Sequence, residues 1–146
     1  MDIASDVTSI ARVIQLSIAP VFLLTAVGAM LGVLSSRLSR AVDRARALES
    51  RCATVAGDEQ SVLRRQLSVL SRRIRMIYMA MVLCALCALL ICSVIVALFA
   101  STLAGTVLAV PIAVLFVAAM LAFIGALLLF LREVHLAITT LQIGTP

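Results

Sequence analysis

Lysine and tryptophan are absent from this sequence, tyrosine and histidine occur once each, and only 13% of the residues are charged. Soluble domains of ordinary composition carry about 25% charged and roughly 45–50% apolar residues. Here 64% are hydrophobic and the mean hydropathy is +1.22, so much of the chain must sit in lipid. A length of 146 residues suits one compact unit.

Other absences narrow the function. There is no glycine-rich phosphate loop, no zinc-ligand spacing and no nucleophile with a base within reach in sequence. An enzyme is therefore not expected, nor a cofactor or a metal. The basic segment in the first half lacks interleaved aromatics and carries no motif of a nucleic-acid-binding module, so nucleic acid is not an expected partner. The acidic start Met1-Asp2-Ile3-Ala4-Ser5-Asp6 lacks the basic opening of a secretory signal. No A-x-A-like cleavage site precedes a soluble region, so the first apolar run is expected to be retained. Of the four cysteines, Cys84, Cys87 and Cys92 fall inside an apolar run and Cys52 in the basic segment, which argues against a disulfide framework. Cys84 and Cys87 have C-x-x-C spacing, but in lipid with no histidine or acid nearby they read as small packing residues.

Three stretches are long and free of Asp, Glu, Lys, Arg and His: Val13–Leu34, Met76–Ala100 and Val107–Leu131. Each exceeds the roughly 20 residues needed to cross a hydrocarbon core about 30 Å thick. All twelve basic residues are arginines, and ten of them lie between Ser35 and Arg75. Arg132 follows the third run, whereas only Arg12 precedes the first. The positive-inside rule then puts the N-terminus outside and both the 35–75 segment and the 132–146 tail in the cytoplasm. Residues 1–12 place Ile3, Val7 and Ile10 on one face, suiting an outer amphipathic segment or a frayed start to the first span. Pro20 is a kink point in that span, and Pro111 suits the first turn of the third helix.

The 35–75 segment is more closely specified. Leu34, Leu38, Ala41, Ala45, Leu48, Cys52 and Val55 repeat at 4-3 spacing, as do Leu63, Leu67, Leu70, Ile74 and Ile77. Ala56-Gly57-Asp58-Glu59 supplies a glycine stop and an aspartate able to cap the next helix. The fold class is thus all-α: an integral membrane protein of three transmembrane helices, with a cytoplasmic antiparallel coiled-coil hairpin between the first and second. Both arms are expected to run unbroken from their spans, the first projecting roughly 30 Å at ~1.5 Å per residue.

Charge is densest at the base of this hairpin. Arg37, Arg40, Asp43, Arg44 and Arg46 crowd the first arm, and pairing the two seams brings Asp43 towards Arg72 and Arg75. The plainer reading is a solvated basic surface that attracts anionic lipids. The sharper one is a ring of arginines around the inner mouth of an oligomeric pore. His135, near Arg132 and Glu133, is a lone interfacial histidine.

The run Gln15-Leu16-Ser17-Ile18-Ala19-Pro20, followed by R-L-x-R-x-x-D-R-x-R-x-L from Arg37 to Leu48, resembles the bacterial membrane proteins grouped as domain of unknown function family 2721. The likeness covers about Ile10 to His135. It implies a three-span bacterial membrane protein without an agreed activity, and makes Pro20, Arg37, Arg40, Asp43, Arg44 and Arg46 the residues most worth testing.

Gln15, Thr25, Gly28 and Gly32 make the first span the most polar. Gly28-x-x-x-Gly32 permits close helix approach, as do Ala118, Ala122 and Ala126 in the third span. The expected function is a homo-oligomeric inner-membrane ion channel or pore. Those four first-span residues would line the path, and the arginine-rich hairpin would form a cytoplasmic vestibule. Spans without buried carboxylates or histidines argue against a proton-coupled transporter. The alternative is a membrane-anchored coiled-coil scaffold, or a protein that binds anionic lipids without conducting. Burial of Gln15, Thr25 and Gly28 against the chain's own helices would favour that alternative.

Overall fold

A computed structural model describes the backbone of residues 3–105 and 108–141, and side chains over 10–105 and 108–135. It contains three helices: α1 (Ile3–Thr54), α2 (Asp58–Leu103) and α3 (Ala109–Leu141), with no strand among the described residues. All three are long and apolar enough to cross a membrane. At ~1.5 Å per residue, α1 with its 52 residues is about 78 Å long, far more than a bilayer requires. The expected continuity of span and arm is what α1 and α2 display. Residues 3–12 belong to the same helix, and α1 continues through Pro20, so the proline does not end it.

The chain divides into two compact units. The first comprises Met1–Met30 and Leu83–Ile124. Its core takes Val13, Ser17, Pro20 and Val27 from α1, Cys84, Cys87, Ile91 and Val94 from α2, and Ala119 from α3. The α2 members follow a 3-4-3 spacing, which keeps them on one face of the helix. Ser17 sits in this core without an unmet donor because its hydroxyl donates to the Val13 carbonyl at 2.8 Å. Gly105 closes α2 at a φ of +62°, a conformation that costs a side-chain-bearing residue more. Pro111 lies in the first turn of α3, where a missing N–H leaves no helical bond unmade.

The second unit comprises Leu31–Val82 and Gly125–Pro146. Every seam residue expected of the two arms is buried or half-buried, with Leu34, Leu70 and Ile77 the most protected. Arg40, Arg44, Arg46, Arg51, Arg64, Arg65, Arg72 and Arg75 are exposed. Binary patterning alone thus sorts the arms into an apolar seam and a charged exterior. Gly57 makes the turn with a φ of +86°. Gln60 Nε2 donates to the Cys52 carbonyl at 3.3 Å, meeting one of the acceptors left open at the end of α1. Asp58 and Glu59 stand inside the first turn of α2, where negative charge complements the helix dipole. Asp58 contributes by position and charge; its carboxylate makes no capping bond among the described residues.

Candidate functional site

The site is built where residues near the ends of the three apolar stretches meet within the second unit. Arg37 lies three positions beyond Leu34, Arg73 three before Met76, and Glu133 two beyond Leu131. Glu133 is only 2% exposed, yet it is a carboxylate. Its Oε2 accepts from Arg37 Nη1 at 2.5 Å and its Oε1 from Arg73 Nη2 at 2.7 Å. Glu133 of α3 is thereby tied to one residue of α1 and one of α2.

Burying a carboxylate is costly unless it is paired and hydrogen-bonded. Here each oxygen has its own guanidinium, and charge-assisted bonds of this length are the strong ones. The two arginine side chains remain 32% and 31% exposed, so their charges are only partly desolvated. Arg37 also lies over the Phe130 ring, 4.9 Å from its centroid, which adds a cation–π contact. A planar fork can stack, donate to a carboxylate and keep spare donors at once, and an ammonium cannot. The use of arginine throughout the basic set therefore has a local structural purpose at this position.

Beside the clamp is an open cleft of about 240 Å³. Arg37, Arg40, Arg44, Arg73 and Glu133 supply its charged lining, and Ala41, Leu70 and Ile77 its apolar lining. Of the residues singled out in sequence, the cleft brings together Arg37, Arg40 and Arg44. It does not include Asp43, Arg46, Arg72 or Arg75, all of which are exposed. The expected pairing of Asp43 with Arg72 and Arg75 is absent, as is pairing with Arg40 or Arg46. Among the described residues both ion pairs are made by Glu133. The reason is angular. Arg73 is three residues after Leu70 and four before Ile77, on the flank of the α2 seam, whereas Arg72 and Arg75 are turned off it.

Sequence reasoning missed Glu133 and Arg73. Two signals were present: Glu133 is the only acidic residue after Glu59, and it lies seven residues from Ala126, itself seven from Ala119. Ala119, Ala126 and Glu133 are the buried residues of α3 among those whose side chains are described. Of the small-residue stripe Ala118, Ala122 and Ala126, the last is buried and the other two are half-buried.

The first-span candidates lie elsewhere. Gln15, Thr25, Gly28 and Gly32 are all exposed on the chain. Thr25 donates its hydroxyl to the Val21 carbonyl at 3.2 Å. A Cβ built on Gly28 or Gly32 would meet nothing within 4 Å.

A family model described as "Protein of unknown function (DUF2721)" matches residues 17–143. The chain belongs to the DUF2721 family. No curated protein and no solved structure matches it. The match to DUF2721 covers most of the chain and takes in the whole arginine cleft together with Glu133. The described residues of this DUF2721 member form three helices, all long and apolar enough to span a membrane.

Proposed function

We propose that this DUF2721 protein is a homo-oligomeric ion channel or pore of the bacterial inner membrane, and not an enzyme. The first span lines the path, and the arginine-rich coiled-coil hairpin forms a vestibule on the cytoplasmic side. The N-terminus lies outside. The observation that supports this reading is the outward position of Gln15, Thr25, Gly28 and Gly32, none of which is buried against the chain's own helices. In lipid, small residues with open space beside them let a second helix approach closely. Arginines gathered at the inner mouth would raise the local concentration of anions. The deciding measurement is conductance of the purified protein in planar bilayers across voltage, tension and pH. Silence under all three sinks the pore.

A second reading is a membrane-anchored scaffold or anionic-lipid binder that does not conduct. Two observations favour it: Thr25 satisfies its hydroxyl internally and so needs no water-filled path, and the arginine cleft is complete within one chain. Under this reading, substitutions along the arms abolish capture of a protein partner, or substitutions in the cleft abolish capture of lipid, while conductance stays absent.

A further inference from the structure

Arg40 and Arg44 are the two guanidiniums of the cleft that Glu133 does not engage. Both are exposed, and neither has a hydrogen bond or ion pair among the described residues. Four arginines against one glutamate give the lining a formal charge of +3, four minus one. The glutamate does not repel an incoming anion as a bare carboxylate would, since each of its oxygens already accepts from an arginine. A cavity of about 240 Å³ is smaller than the roughly 300–1,000 Å³ typical of organic-ligand pockets. The charge selects an anion, the open cleft has room for a phosphate group, and forked guanidiniums match phosphate oxygens in geometry.

The geometry points to a discrete binding site for a phosphate group, held by Arg40 and Arg44, with further donors from Arg37 and Arg73 that Glu133 keeps in place. A basic surface that only attracts anionic membranes needs neither a cleft nor guanidiniums held in place, and here Arg37 and Arg73 are held by Glu133 at the wall of one. A lipid headgroup and free inorganic phosphate offer the same chemistry. The headgroup is the better fit, because Val33, Met79, Val82, Leu127 and Leu131 in the same unit expose large apolar side chains able to meet acyl chains. The site is formed by one chain and does not depend on whether the protein conducts.

The test uses the whole chain in nanodiscs of phosphatidylcholine containing a small fraction of phosphatidylglycerol. After extraction, bound phosphatidylglycerol is counted by native mass spectrometry. Arg40→Gln/Arg44→Gln should retain about tenfold less than the unaltered protein, as expected for losing charge-assisted hydrogen bonds. The charge-matched control Arg51→Gln/Arg64→Gln, on exposed arginines outside the cleft, should retain as much as the unaltered protein. A second arm measures thermal stabilisation of delipidated protein by inorganic phosphate against chloride at equal ionic strength. Stabilisation that the cleft variant loses and the control keeps, with no difference in lipid retention, supports the site with free phosphate as its ligand. Equal losses in the two double variants would overturn the proposal in favour of diffuse attraction, and a cleft variant that matches the unaltered protein in both arms would also overturn it. Should the glutamine pair fail to fold, Arg40→Lys/Arg44→Lys decides. It keeps the charge and removes the fork, so partial loss is expected, and undiminished binding in both arms would overturn fork recognition.

Discussion

Arg73 reaches Glu133 across 60 residues of sequence, its Nη2 2.7 Å from Oε1, and so ties the second helix to the third. Arg37 does the same from the first helix through the other oxygen. Glu133 is the single group through which both contacts pass, so stability should be unusually sensitive to it.

Replacing Glu133 with glutamine keeps the shape and removes the charge, leaving Arg37 and Arg73 facing one another. Breaking a buried pair costs about 3–5 kcal/mol when the orphaned charge stays dry. These arginines are about a third exposed, so water offsets part of that loss. A destabilisation of about 2 kcal/mol is expected, read as a lower thermal midpoint of the purified chain in detergent. Arg73→Gln in the Glu133→Gln background should cost less than it does alone, because the two act as one unit.

Arg37→Lys separates charge from geometry. Lysine keeps a cation beside Glu133 but gives up the fork and its stacking over Phe130. The expected cost is about 1 kcal/mol. Arg46→Lys, on an exposed residue outside the cleft, should fall within about 0.5 kcal/mol of the unaltered protein. Equal midpoints for the two variants would show that charge alone holds the clamp.

The glycines divide into two kinds. Gly57 has a φ of +86°, so Gly57→Ala should destabilise by about 1 kcal/mol through backbone strain. Gly28 and Gly32 have open space where a side chain would go, and Gly28→Leu/Gly32→Leu should leave the fold of the single chain intact. If the proposed assembly uses this face, the same double variant lowers the oligomeric mass seen by light scattering. An unchanged mass would remove the glycine face from the interface.

The cysteines report on side and depth. Thiolates react, and they form readily only where water reaches. Cys84 and Cys87 are buried, and Cys92, though exposed on the chain, lies within the apolar stretch of α2, so all three should resist a membrane-impermeant maleimide. Cys52 is half-buried on the first arm and should label. In right-side-out vesicles the proposed orientation requires labelling of Cys52 only after permeabilisation, and labelling of sealed vesicles would reverse it.

What the sequence made legible follows from what each signal depends on. The three apolar stretches are one-dimensional signals, because lipid penalises every charge in a run regardless of partner. The arm seams from Leu34 to Val55 and from Leu63 to Ile77 were also readable, since helix periodicity fixes the buried face before the neighbour is known. The turn was written in Gly57. The clamp was not, because pairing two arms by their seams says nothing about where the end of a third helix arrives. Asp43 drew attention by its place among four arginines, and that crowding is a surface pattern. Glu133 was inconspicuous beside Arg132, and only the heptad step from Ala126 separates it from a solvated tail residue.

The chain order of the clamp also gives it a direction in time. Arg37 and Arg73 are synthesised before Glu133, the second of them by 60 residues, which at about 5–20 residues per second is roughly 3–12 s. Through that interval the first two helices exist with their basal arginines uncompensated by this acid. The carboxylate arrives only after the apolar stretch of the third helix has been made, so this contact can close only once that stretch, like the first two helices, has left the ribosome.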